Sequence, residues 1–451
     1  MILPSSELSA RYRTRAPRYT SYPAAPHFGP LPEGALDAAL AQCRGPLSLY
    51  VHIPFCTHLC LYCGCHVEIR ESRSIADPYI DGLLQELDLW LARVPETARS
   101  SGQICLGGGT PTFLRADQMR RLVLGLQSRL PWRPDVDASI EIDPRSVDEE
   151  ALENLVSLGF NRYSFGVQDF DEEVLKKVAR PQTEEQVRLC TSVIRRASPS
   201  SNLNFDLMYG LPGQNEESFA RTLAKVIELR PTRIALFHYA HVPWMKPAQK
   251  VLEKRGMPET DLKTRLYALA TESLVQAGYA VIGMDHFALP GDELLAAQKA
   301  NDLQRNFMGY TTRASLDQLG IGVSSIGSFA GVYAQNYKDR DTWSAHIAAG
   351  NLPVERGRVL SAEDRLRRQV IMRLFCNFSL QLSSSEAEHL APELERLTPL
   401  VEDALLQIHR DPTGTRLEVT PLGRHFIRNV CAVFDQYLEI DQGQRRYSMT
   451  A

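Results

Sequence analysis

Four of the nine cysteines fall within ten residues, in the segment Y-V-H-I-P-F-C-T-H-L-C-L-Y-C-G-C at 50–65. No other feature limits the fold so strongly. Cys56, Cys60 and Cys63 keep a C-x3-C-x2-C spacing directly after the strand-like run L-S-L-Y-V-H-I at 47–53. Three thiolates leaving one strand end can curl around a single iron–sulfur cubane, whose usual protein ligands are cysteine thiolates. Three ligands for four irons leave one iron open to the amine and carboxylate of an amino acid. The competing reading is a structural zinc, with Cys65 or one of His52, His58 and His66 as fourth ligand. Zinc ligands usually arrive as two separated pairs, and no distant C-x-x-C accompanies this run.

Composition fits a cofactor enzyme in a reducing compartment. The other cysteines (Cys43, Cys105, Cys190, Cys376 and Cys431) are scattered and the total is odd, unlike a secreted disulfide framework. With no apolar signal-like start and no membrane-length apolar run, a cytoplasmic location is expected. The 451 residues suffice for two or three domains with a large core. A formal net charge of −4 points to neither nucleic acid nor a membrane surface as partner. An anionic substrate would need local cations, for which Arg145, Arg162 and Arg305 are candidates because guanidinium pairs bidentately with carboxylate. Each has a structural ion pair as its plain alternative.

From residue 47 to about 290, short apolar runs alternate with amphipathic ones. Strands are expected at 47–53, 103–106, 139–143, 162–167, 204–209, 233–239 and 280–284. Helices are expected at 78–93, 116–130, 148–158, 172–179, 184–196, 216–229 and 261–277. This alternation predicts βαβ units and a parallel sheet closing into a full or partial barrel. Chemistry then gathers at the C-terminal strand ends. Gly107–Thr110, Glu141, Asp143, Gln168 and Asp169 all fall there. Residues 1–46 read as an extended lead-in and 291–345 as polar and Gly-rich. From 361 the pattern turns helical (363–375, 384–390, 402–408), with a winged-helix-like ending.

The C-x3-C-x2-C motif after a strand resembles the radical S-adenosylmethionine superfamily. More narrowly, the chain resembles the oxygen-independent coproporphyrinogen III oxidases over nearly its whole length. The resemblance rests on Y-T-S-Y-P (19–23), Y-V-H-I-P-F-C (50–56), C-G-C (63–65), G-G-G-T-P-T (107–112), E-I-D-P-R (141–145) and G-V-Q-D-F (166–170). In the later half D-L-M-Y-G-L-P (206–212), Y-A-H-V-P (239–243) and G-M-D-H-F-A (283–288) continue it. It implies an α/β fold with a partial (β/α)6-type radical SAM barrel at 47–345, an N-terminal extension at 1–46 and a mainly helical C-terminal domain at 346–451.

It further implies a [4Fe–4S] cluster on Cys56, Cys60 and Cys63 and two S-adenosylmethionine molecules. Tyr50, Gly108, Glu141 and Ile326 would contact the one at the cluster, with Tyr50 part of the catalytic set. Tyr62, Gly109, Thr110, Gln168, Arg180, Asp206 and Ala240 would contact the second. Tyr62 stands where the family commonly has Phe, and Leu106 where it commonly has Trp. Cys65 is expected near the cluster but unbound. The implied activity is oxidative decarboxylation of two propionates of coproporphyrinogen III to vinyl groups by a monomer, with a flavodoxin- or ferredoxin-like electron donor. The related haem-binding chaperones of the superfamily are the alternative, and they usually lack the C-G-C ending and the Y-T-S-Y-P lead-in.

Overall fold

The computed structural model describes residues 4–412, 414–440 and 446–450. Six strands follow one another in sequence and in space: β1 Leu47–Ile53, β2 Ser101–Gly108, β3 Trp132–Ile142, β4 Arg162–Gln168, β5 Asn202–Tyr209 and β6 Arg233–His238. Each neighbouring pair is parallel. The crossovers carry α1 Ala76–Leu91, α2 Ala116–Arg129, α3 Glu149–Ser157, α4 Glu184–Ala197 and α5 Glu216–Leu229, and α6 Thr260–Gln276 follows β6. Asp148, Thr183 and Asn215 accept backbone N–H bonds at the starts of α3, α4 and α5.

The sheet is sided, and that sidedness makes an active site possible. Strand residues alternate faces. Leu49, Val51, Ile104, Leu106, Ile140, Ile142, Phe165 and Phe205 are fully or almost fully buried among residues of the helical layer. The intervening residues Gln103, Cys105, Ser139, Glu141, Arg162, Ser164, Asn204 and Asp206 line a cavity. Register aligns them: Tyr50 lies beside Cys105, Cys105 beside Ser139, and Glu141 beside Ser164. Apolar burial on the outer face stabilises the sheet, which leaves the inner face free to stay polar and open.

The region after β6 departs from expectation. Residues 280–284 do not add a seventh βα unit. Ala280–Ile282 (β7) is an edge strand, separated from β6 by the antiparallel His286–Ala288 (β8). The stretch 291–345 is not merely polar connection. Gln318–Ile321 (β9) pairs parallel with β1 on the side away from β2, and Ile326–Phe329 (β10), Val332–Asn336 (β11) and Val354–Val359 (β12) continue the sheet antiparallel. β12 lies beyond residue 345 and still belongs to this sheet. Residues 402–408 are not a helix: Leu406–Asp411 (β14) pairs with Gly414–Val419 (β15), which pairs with Ser379–Ser383 (β13). Alternation of Leu406 and Ile408 serves a strand once those partners are present.

The lead-in belongs to the second core. Tyr19 and Tyr22 are buried with Phe375 and Phe378 of the C-terminal unit. Tyr19 donates to Asp435 at 3.1 Å. Arg428 donates to the carbonyls of Ala16 and Pro17.

Glu86 of α1 ties the first helix to the far side of the sheet. Its fully buried carboxylate accepts from Gly322 N–H at 2.8 Å, Asn336 Nδ2 at 2.6 Å, Trp343 Nε1 at 2.8 Å and Trp90 Nε1 at 3.1 Å. Burial pushes its carboxyl up to about 7, with those donors working in the opposite direction. Glu86→Ala leaves four donors without their acceptor and is expected to cost about 3 kcal/mol or more in denaturant titration. The folded chain holds an extra proton between the unfolded value near 4.5 and the folded value near 7. Its contribution therefore falls as pH rises through that window, and the wild type should lose stability relative to Glu86→Gln between about pH 5 and 7.

Candidate active site

The cysteine loop leaves β1 through Pro54 and is fastened at several points. Phe55–Cys56 pairs with Glu68–Ile69 and closes its base. Leu61 N–H donates to the Val178 carbonyl at 3.0 Å, Gln249 Nε2 to the Tyr62 carbonyl at 3.0 Å, and Lys246 Nζ to the Cys65 carbonyl at 2.6 Å. Cys56, Cys60, Cys63 and Cys65 all line a cavity of about 480 Å³ at the C-terminal ends of the parallel strands.

Cations and hydroxyls face the sulfurs. Arg145 Nη2 and Arg180 Nη1 each lie 3.5 Å from Cys60 Sγ, and Thr110 Oγ1 lies 3.2 Å from Cys56 Sγ. Asp143 holds both guanidiniums, Arg145 at 2.6 Å and Arg180 at 3.4 Å. Burial would raise the Asp143 carboxyl, but Arg180 and Arg145 bring it below the ordinary carboxylate range. Arg145 thus faces a cysteine sulfur and is paired, which removes it from the candidates for gripping substrate. A hydrogen bond with Cys65 draws the Cys63 thiol down to about 6, against burial.

The glycine run is required by closeness. A Cβ on Gly107 would sit 2.9 Å from Glu141 Oε1, and one on Gly108 2.5 Å from the His52 ring. On Gly109 it would sit 2.7 Å from the Pro54 carbonyl group. Gly108 has φ +114 and donates its N–H to Glu141 Oε2 at 3.0 Å. His52 explains why nothing larger fits. Burial lowers it to about 4, so the ring is neutral. Its Nε2–H donates to the His66 carbonyl at 3.0 Å, which leaves Nδ1 to accept from the Tyr50 hydroxyl at 3.0 Å. His52 is a positioning residue that the sequence analysis treated only as a possible metal ligand. Its place beside Tyr50 in the inward alternation of β1 was the available signal. His58 instead pairs with Thr57 at 3.0 Å.

Two carboxylates face the cavity without an ion pair among the described residues. Glu141 opens onto it while protein encloses its other sides. Enclosure raises its carboxyl to about 7, and Asp206 adds to the rise. Asp206 accepts from Asn204 at 2.8 Å and Ser164 at 3.1 Å, and burial raises it too. Among the described residues neither has an ion-pair partner. Gln168 reaches the cavity from a bulge in β4, held at φ +67, a conformation costing about 1 kcal/mol or more for a non-glycine residue.

Cys56, Cys60, Tyr62, Cys63, Gly108, Gly109, Thr110, Glu141, Gln168, Arg180 and Asp206 therefore share one cavity wall. Tyr50, Ala240 and Ile326 do not line it. Tyr50 stands behind Gly108 through His52, and Ala240 follows β6. Ile326 lies on β10, where its carbonyl accepts from Gln318. Arg162, Arg233 and Arg305 also line the cavity. Arg162 is engaged by Asp137 at 3.2 Å and Glu293 at 2.6 Å. Arg305 stacks on Tyr310 and lies 3.6 Å from Asp285, while its Nε and Nη1 are buried without hydrogen-bond partners.

Six parallel βα units with three thiols beyond the first strand define a radical S-adenosylmethionine protein, and residues 50–226 match the Radical SAM superfamily. Oxygen-independent coproporphyrinogen III oxidase of Salmonella typhimurium is 41% identical over 98% of this chain and 97% of that protein. That of Pseudomonas aeruginosa is 40% identical over the same shares. The solved structure of Escherichia coli coproporphyrinogen III oxidase (HemN), described as a radical SAM enzyme, superposes with a TM-score of 0.89. It is 40% identical and covers 97% of this chain and 100% of that one. The chain belongs to the oxygen-independent coproporphyrinogen III oxidase family.

Membership brings a [4Fe–4S] cluster and S-adenosylmethionine, and the residues present fit both. The thiol loop offers sulfurs backed by guanidiniums, which suits anionic ligands of a cluster. The unpartnered carboxylates suit a cofactor carrying an ammonium and a sulfonium. Gly109→Ala would force a Cβ against rigid backbone. It is expected to cost about 1–3 kcal/mol in thermal or denaturant unfolding and to lower the iron retained per chain after anaerobic reconstitution.

Proposed function

We propose that this chain converts two propionate side chains of coproporphyrinogen III to vinyl groups without oxygen, giving protoporphyrinogen IX in haem biosynthesis. The observation that carries this reading is the cavity: the thiol loop, two carboxylates without an ion-pair partner among the described residues, and the buried Arg305 all line it. When bound, the cluster and S-adenosylmethionine supply a 5′-deoxyadenosyl radical able to take a hydrogen atom from an unactivated propionate β-carbon.

The chain's own groups would hold, orient and shield. Cys56, Cys60 and Cys63 ligate the cluster, and Cys65 stays beside it. Tyr50, Gly108, Glu141 and Ile326 receive the S-adenosylmethionine at the cluster. Tyr62, Gly109, Thr110, Gln168, Arg180, Asp206 and Ala240 receive a second molecule. Support for this division is the cavity wall shared by most of these residues and the presence of two carboxylates, on different strands, for two cations. Arg305 lends positive charge to the cavity for a substrate carboxylate. The enzyme acts as a cytoplasmic monomer, reduced by a flavodoxin- or ferredoxin-like donor, with no nucleic-acid or membrane partner. Among the described residues no helix is long and apolar enough to cross a membrane.

Anaerobic incubation of cluster-loaded protein with coproporphyrinogen III, S-adenosylmethionine and a reductant is expected to yield protoporphyrinogen IX. Its absence from well-loaded protein overturns the assignment. Cys60→Ser should lose the cluster's visible absorbance and all turnover. Glu141→Gln removes a charge-assisted contact worth roughly 1.5–3 kcal/mol and should weaken S-adenosylmethionine binding about tenfold or more with iron content unchanged.

A further inference from the structure

A second cavity lies on the opposite side of β6, between α6, the N-terminal segment and the C-terminal unit. Its volume is about 100 Å³, several times the roughly 30 Å³ that a water occupies in the liquid. A tetrapyrrole cannot enter, but a small anion can. Arg18, Lys263, Arg424 and Arg428 line it with His238, and Asp285 is its one carboxylate among the described residues.

The charge there is out of balance. Arg18 Nη2 donates to the His238 carbonyl at 2.5 Å. Arg428 is surrounded by carbonyl oxygens, those of Ala16, Pro17, Ser448 and Met449, which satisfy its donors without neutralising it. Arg424 lies over the Phe378 ring at 4.6 Å. Asp285 is engaged through Oδ1 by His286 at 2.7 Å and Arg305 at 3.6 Å, while its Oδ2 is buried without a hydrogen bond, so one carboxylate offsets only part of the charge of four cations. His238 Nε2 is buried with no hydrogen-bond partner and belongs to a residue lining this cavity. Burial lowers Arg428 to about 9, and Arg18 adds to the effect. Cations enclosed this way are costly unless an anion joins them.

We propose that this cavity binds a small tetrahedral oxyanion of the phosphate class, either inorganic phosphate or the phosphoryl group of a phosphomonoester. Four cations and a free ring nitrogen match its charge and its several acceptor oxygens. The bound anion would join α6 to the segment 16–20, whose Thr20 lines the active cavity. It would thereby stabilise one wall of the active cavity from behind.

The test is calorimetric titration of the full-length, cluster-loaded protein with inorganic phosphate under anaerobic conditions at fixed ionic strength. One saturable site is expected. Lys263→Met should weaken it at least tenfold, Lys263→Arg should restore it to within a few-fold, and Lys254→Met, on the exposed surface, should not change it. No saturable binding, or equal binding by Lys263→Met and wild type, overturns the proposal. Glycerol phosphate is the second probe. Binding as tight as phosphate, or binding by phosphate alone, supports the site and separates the two sources. A variant-free readout is thermal unfolding of the wild type: phosphate should raise the midpoint above that in chloride of equal ionic strength, and no rise overturns the proposal.

Discussion

Everything in this molecule depends on which face of the parallel sheet is buried. The six strands turn Leu, Ile, Val and Phe outward against the helices, and that apolar contact holds the sheet together. The inward face is therefore released from packing duty and carries Gln, Ser, Glu, Asn, Asp and Arg around a cavity. Parallel pairing in near-constant register sets these side chains in rows, so residues more than a hundred positions apart converge at the strand ends.

The thiol loop poses the opposite problem. It has little regular structure and must still hold three sulfurs in place. Its fastenings come from distant parts of the chain: Val178 after β4, Lys246 and Gln249 after β6, and His52 within β1 itself. Charge is segregated around it. Arg145 and Arg180, with Asp143 between them, lie on the sulfur side, whereas Glu141 and Asp206 face the cavity with no ion pair among the described residues. Anionic thiolates and a cationic cofactor each find opposite charge, and neither group's partner neutralises the other's.

The two chain ends close the back of the molecule. Arg428 gathers carbonyls from residues 16–17 and 448–449, and Tyr19 and Tyr22 enter the second hydrophobic core. The Y-T-S-Y-P segment is thus an architectural clamp that also brings Thr20 to the active cavity. Such a clamp concentrates positive charge where little carboxylate is available, which is the physical origin of the second cavity's character.

Local chemistry made part of this readable from sequence. Cysteine spacing specifies that three sulfurs leave one strand end together, and alternating apolar and amphipathic runs specify βα units, because both depend on residues close along the chain. The strand at 318–321, the antiparallel edge at 286–288 and the strand at 406–411 were not readable, since their partners lie far away and their own patterns are short. Nor did sequence reveal that His52 braces Tyr50 and Gly108, that Arg145 faces a cysteine sulfur, or that Arg305 is buried beside Asp285 and Tyr310. The sequence by itself determined the spacing of the cysteines and the family. The tertiary structure alone decided which charges meet and which stay unpaired, because electrostatic pairing depends on distance and enclosure in space and not on separation along the chain.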